Sequence, residues 1–173
     1  SPGNVVPVQE VEGKEISQSV VGSSANPGLR DFWIVSEIIK EHSVSPEVSL
    51  DVNPSSRQKI EELGKMGAIG NLIQSGARFH QTGCMGCIGM GQAPASDTIS
   101  LRTMPRNFPG RSGTEDDQVY LCSPETAAVS AVTGKISDPM KWARENKAEY
   151  PQFQEPEEAS VNMLMLIPPA ENG

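Results

Sequence analysis

The apolar positions of this chain alternate between short β-branched runs and longer stretches with helical spacing. "SVVG" (Ser19–Gly22) is a compact apolar run that stops at a glycine and a polar cluster, which predicts a buried strand ending in a loop. Asn26 and Pro27 then open a helix on which Leu29, Phe32, Trp33, Val35, Ile38 and Ile39 recur with roughly helical spacing. "EVSLDVNP" supplies a second strand, followed by a helix from Ser55 to about Leu63 with Asn53 or Ser55 as cap. A third step comes from "AIGNLIQSG", a helix with a glycine near its end, and "ARFH". Farther on, "TISLRT" and "QVYLC" alternate like strands. "SPETAAVSAVTG" carries Ser123 as cap, Pro124 at the first helical position and Gly134 as terminator.

Strands alternating with helices predict an α/β fold, a three-layer domain whose mostly parallel sheet is covered by helices. Residues 1–17 read as an extended lead-in and 18–138 as the domain proper. In 139–173 the texture changes. "DPMKWARENKAEYPQFQEPEEAS" is charged and interrupted by proline, as a linker is, and "VNMLMLIPPAENG" reads as a final apolar strand with a polar end.

The 173 residues suffice for one such domain with a proper core. A formal net charge of −8 with scattered basic residues excludes nucleic-acid and anionic-membrane binding as expectations, since both need concentrated Lys and Arg. No apolar run approaches the ~20 residues of a membrane span, and the N-terminus has neither the basic start nor the apolar core of a secretory signal. With three cysteines, two of them in a C-x-x-C, the pattern points to metal or redox chemistry in a reducing compartment.

Three segments can carry chemistry. Cys84 and Cys87 lie in the glycine-rich "CMGCIGM", where two thiolates can approach one soft metal centre. The pair alone is compatible with half a zinc site, a dithiol redox couple, two cluster ligands or coincidence. "RNFPGR" sets Arg106 and Arg111 on a kinked loop where two planar forks could converge on a carboxylate or phosphate, or stand as ordinary surface arginines. "VVGSSANPG" is a strand-end loop leading into a helix; it can hold an anion on backbone N–H groups or be an ordinary capped start. His80 could titrate but reads as a lone loop histidine, and Cys122 as a buried structural cysteine.

Taken in order, "GSSAN" (Gly22–Asn26), "CMGCIGM" (Cys84–Met90), "RNFPGR" (Arg106–Arg111) and "SPETAAVSAVTG" (Ser123–Gly134) resemble the aconitase superfamily, which includes aconitase, homoaconitase and isopropylmalate isomerase. The resemblance covers about residues 18–138. It implies the third α/β domain of a four-domain hydro-lyase, in which three cysteines hold a 4Fe–4S cluster whose open iron binds a hydroxy-tricarboxylic acid of the citrate/isocitrate type, as in the tricarboxylic acid cycle. On that resemblance Cys84 and Cys87 are cluster ligands, Arg106 and Arg111 hold substrate carboxylates, and Asn26 lines the cluster pocket. Two positions depart from the pattern. Ser24 stands where the family has its first cysteine, and Pro105 where many members have Asn. The acid–base groups and the remaining domains, the expected partners, lie outside this segment, so the isolated chain is expected to be inert. A cytoplasmic or mitochondrial-matrix location follows from the same resemblance. The rival expectations are a non-enzymatic anion- or partner-binding module that kept the fold and lost the cluster, and a dithiol oxidoreductase.

Overall fold

The fold is taken from a computed structural model, which describes residues 3–157. Its centre is a five-stranded, all-parallel sheet: β1 (Gln18–Val21), β2 (Ser49–Val52), β3 (Arg78–Phe79), β4 (Ile99–Arg102) and β5 (Gln118–Leu121). The spatial order is β3-β2-β1-β4-β5, with Val20 opposite Asp51 on one side and Arg102 on the other. The chain thus runs outward from β1 to β2 and β3, then returns across the sheet to β4. The carboxyl ends of β1 and β4 flank the point where strand order reverses, the place where open α/β sheets form a crevice.

Between the strands lie α2 (Leu29–Ile39), α3 (Arg57–Lys65) and α4 (Ala68–Gln74), α5 (Pro124–Thr133) follows β5, and a single turn, α1 (Val8–Val11), precedes β1. Helix α2 packs against α4 and α5, and α5 lies on β1, where Ser19 Oγ donates to the Ala127 carbonyl at 3.0 Å. Ala127, Ala128 and Ala131 are small enough to allow that approach and are fully buried. Alternation along each strand sends Val21, Leu50, Val52 and Leu101 to this side, where they join Phe32, Val35, Ile39, Leu63 and Leu72 in the main core. Burying each of these larger side chains contributes about 1.5–3 kcal/mol.

Gln18, Val20, Asp51, Ser100 and Arg102 face the other way, and the loop between β3 and β4 covers them. The parallel sheet is therefore covered on both faces, one of them by helices and the other largely by the Cys–Gly loop.

Capping chemistry differs from the sequence expectation at two starts. Helix α2 begins at Leu29, with Gly28 as its cap and the Asp31 carboxylate accepting from the Gly28 N–H at 2.9 Å. Helix α3 is capped by Ser56, whose Oγ accepts from the Lys59 N–H, rather than by Asn53 or Ser55. Asn53 is drawn away because its amide is used by the Cys loop. Ser123, Pro124 and Gly134 (φ +79°) begin and end α5 as expected.

The segment read as linker forms α6 (Pro139–Asn146), which buries none of its residues. Its exposed, charged sequence hid the helix from hydrophobic periodicity, whereas the Asp138–Pro139 start was the available signal. The Asp138 carboxylate accepts from the N–H groups of Met140 and Lys141 and from Gln9 Nε2 at 2.7 Å. These bonds, the Gln9 amide foremost, hold Asp138 below the usual carboxylate range. Asp138→Ala is expected to cost about 1 kcal/mol in urea unfolding at neutral pH. Because the folded pKa is depressed, the contribution is complete above the unfolded value of about 4 and disappears as pH falls through the folded value. The gap between wild type and variant should close over that acidic range. The lead-in is not free of the domain either: Ile16 is buried, and its N–H bonds to the Gly134 carbonyl. The apolar strand read at 161–173 lies outside the described residues.

Candidate active site at the carboxyl ends of the strands

Three loops meet above β1 and β4, and glycines set how closely. Gly22 follows β1 with φ +123°, and a Cβ there would lie 2.1 Å from the Asn53 carbonyl oxygen. Its N–H donates to Thr103 Oγ1 at 3.1 Å, so the turn after β1 is held by the segments that follow both neighbouring strands. Ser23 Oγ donates to the Asn26 carbonyl at 2.7 Å, and Asn26 Nδ2 donates to the Thr103 carbonyl. This folded turn leaves Ser24 exposed at its apex.

The Cys loop is fixed from beneath. Asn53 Nδ2 donates to the Gln81 carbonyl at 2.9 Å, and Asn53 Oδ1 accepts from the Gly86 N–H at 3.2 Å. Gly86 opens a short 3₁₀ turn (Gly86–Ile88), where a Cβ would collide with the side chains of Gln92 and Asn53. Cys87 is thereby turned inward, buried against Val20 and Met104, while Cys84 stays exposed.

Ser24, Cys84, Cys87 and Arg111 come together at this point. The hydroxyl and N–H of Ser24 lie beside the Cys84 thiol, as does Cys87, with Arg111 nearby. The Ser24 hydroxyl contributes most to holding Cys84 below the ordinary thiol value. Burial pushes the Cys87 thiol up. Arg111 Nη2 donates to Cys87 Sγ and its Nη1 to the Cys87 carbonyl, each at 2.8 Å. One planar fork therefore grips a ligand-type sulfur and its own backbone.

Other residues singled out in the sequence fall elsewhere. Arg106 is exposed, has no hydrogen bond or ion pair among the described residues, and lines a groove of about 960 Å³ that runs along β5 with Phe108. Arg106 and Arg111 therefore do not converge on one point here. Pro105 is exposed at the start of the same loop. The Asn26 amide is committed to Thr103. His80 Nε2 meets the buried Asp51 Oδ1 at 2.7 Å. Cys122 packs against the main core on the helix side, where burial pushes its thiol up to about 12, and it does not join the other two cysteines.

Sequence reading missed the polar layer beneath the loop: Gln18, Asp51, Gln92 and Arg102 are all buried. The available signal was Arg102 itself, because a charge in an alternating strand of a sheet covered on both faces has nowhere exposed to point.

With this geometry in view, comparison with known proteins is decisive for ancestry. Residues 4–134 match the aconitase family (aconitate hydratase). The chain belongs to the aconitase family. Among its relatives are 3-isopropylmalate dehydratase large subunit 1 of Methanopyrus kandleri, 40% identical over 144 residues, and the homoaconitase large subunit of Thermus thermophilus, 36% identical over 144 residues. Each alignment takes in 82% of this chain and 34% of the relative. The 3-isopropylmalate dehydratase large subunit of a Sulfurihydrogenibium species is 40% identical over 150 residues, 86% of this chain and 35% of the relative. This aconitase-family chain spans about a third of the length of these curated relatives.

Aconitase-family parents carry a 4Fe–4S cluster. The donor set of this family member is two thiols and one alcohol. No group of three or more His, Cys, Asp or Glu side chains among the described residues could hold a metal ion. A serine hydroxyl stays protonated where a thiol ionises, and it is a hard donor to a soft site. These residues do not fit a cluster held by three thiolates.

Proposed function

We propose that this chain is the site-bearing α/β domain of a hydro-lyase of the isopropylmalate dehydratase–homoaconitase kind, and that alone it is catalytically inert. The meeting of Ser24, Cys84, Cys87 and Arg111 at the strand-order reversal carries this reading. The citrate/isocitrate expectation shifts toward isopropylmalate or homoaconitate, the compounds in the relatives' names. Such substrates offer two or three carboxylates. Arg111 stands at the sulfur pair, and Arg106, with its guanidinium unpaired, is free to take a second carboxylate once a ligand bridges the loops. Asn26 shapes the pocket rim by tying the first loop to Thr103. The acid–base groups belong to the other parts of the parent protein, its partners, in the cytoplasm or the mitochondrial matrix. The isolated chain should show no dehydration of 3-isopropylmalate in a continuous absorbance assay; measurable turnover would refute the inert reading.

Ser24 favours a second reading, a carboxylate-binding module without enzymatic chemistry. Calorimetric titration of the iron-free chain with 3-isopropylmalate separates the two. Binding that Arg111→Met abolishes supports the module, while absence of binding leaves the enzyme-domain reading in place.

A further inference from the structure

Under the Cys loop lies a guanidinium with no carboxylate in contact. Arg102 is completely buried, yet every partner it has is neutral. Its Nη1 donates to the Gly86 carbonyl at 3.1 Å and its Nη2 to the Gln92 carbonyl, so one planar group grips the loop at two points six residues apart. Nε donates to Ser100 Oγ at 3.0 Å, and Nη2 also donates to Gln18 Oε1 at 2.8 Å. The other end of the Gln18 amide donates to the Gln92 carbonyl and to Asp51 Oδ2, at 3.2 and 3.3 Å. Asp51, 1% exposed, is in turn held by Ser49 Oγ and His80. The buried cation and anion are thus joined through an amide across β1. A cation in this position is costly unless its donors are used, and here two of its four hydrogen bonds are spent on the backbone of the loop that carries both thiols.

We propose that Arg102 is the positioning residue of the Cys84–Cys87 loop, acting through the Gly86 and Gln92 carbonyls, with Gln18 and Asp51 as its support. The proposal rests on the loop being a functional site, but its geometry is independent of any cluster or turnover. Gly86 lies immediately before Cys87, so its carbonyl fixes the peptide that directs the thiol inward. Gln92 closes the loop, and the N and O of its side-chain amide are buried without a hydrogen-bond partner, so it is its backbone, the carbonyl toward Arg102 and Gln18 and the N–H toward Gly89, that holds it in place. Lysine cannot replace this arrangement, because a point-like ammonium cannot span both carbonyls with the geometry of a planar fork.

The test is residue-resolved alkylation of the full chain by iodoacetamide, read by mass spectrometry, with circular dichroism as the control for folding. In wild type the exposed Cys84 should react much faster than the buried Cys87. Arg102→Ala is expected to raise Cys87 labelling about tenfold or more, and millimolar guanidinium, far below denaturing levels, should restore protection by refilling the vacated space. Arg102→Lys, which keeps the charge, should raise Cys87 labelling roughly threefold or more. The exposed Arg57→Met, on α3, is the control and should match wild type. Wild-type protection of Cys87 in a folded Arg102→Ala or Arg102→Lys chain would overturn the proposal. So would lost protection that guanidinium does not restore, since that pattern describes general loosening of the face. If Arg102→Ala does not fold, the lysine variant decides alone. None of these outcomes depends on the turnover or ligand-binding measurements that test the functional reading.

Discussion

Ser24→Cys should convert a chain that takes up iron and sulfide incompletely into one that retains about one 4Fe–4S cluster per molecule after anaerobic reconstitution and desalting. The Ser24 side chain already lies beside the Cys84 thiol, so a sulfur placed there is brought close to the other two. Ser24 is exposed, so the larger atom is not introduced into the packed core. The turn that presents it is held by Gly22, Ser23 and Asn26, none of which changes. What changes is the donor. A thiol ionises near pH 8.5 and lower beside cations, as Arg111 is here, whereas an aliphatic hydroxyl stays neutral. Iron and acid-labile sulfide per chain, with the rate of bleaching by a chelator, are the measurements. Bleaching should slow by roughly tenfold or more, given that losing even an outer partner of a metal ligand commonly costs that much. Equal, stable cluster content in both chains would show that serine serves as a ligand and that the third position does not limit binding.

The second large effect is expected at Gly22. Gly22→Ala should lower stability by about 3 kcal/mol or more in urea unfolding. Two costs add at this residue. Its φ of +123° is a conformation that L side chains rarely adopt, and the new Cβ would sit 2.1 Å from a backbone oxygen that belongs to the continuation of β2. Backbone on both sides leaves no flexible side chain to give way. Gly91→Ala is the matched comparison. Its φ is +81° and nothing lies within 4 Å of the added carbon, so it bears only the backbone term of about 1–2 kcal/mol. The difference between the two variants measures the close approach itself. Equal destabilisation would mean that the loops are free to separate, and the account of how Ser24 reaches Cys84 would fail with it.

These two positions show how unevenly the molecule is written in its sequence. The strands and main helices were legible because Val, Leu and Ile recur at periods set by local geometry. Phe32, Val35 and Ile39 mark the buried stripe of α2, and Ser123, Pro124 and Gly134 bracket α5. Helix α6 was not legible by that route, because none of its residues is buried and its clearest signal is the Asp138 cap. The Cys–x–x–Cys pair was visible, but its inside–outside division was not. That division comes from Asn53 gripping Gly86 and from Val20 and Met104 offering Cys87 an apolar seat, contacts between segments well separated in the chain. The two arginines of "RNFPGR" looked equivalent. Only the folded loop separates Arg111, bonded to Cys87, from Arg106, which faces the groove along β5.

By itself, then, the sequence determined the α/β class, the order of the elements from β1 to α5, the family to which the four motifs belong, and the missing thiol at position 24. Those are properties of residue type and spacing, and they survive any rearrangement of the loops. The tertiary structure decided which of the candidate groups meet. The strand order places the turn after β1 beside the segment after β4, and the return crossing from β3 lays the Cys loop over both. It also decided that Arg102, an unremarkable charge in "TISLRT", lies wholly buried beneath that loop. The physical reason is that a side chain's partners are chosen by register and by the face it occupies, both of which are set by strands far apart in the chain.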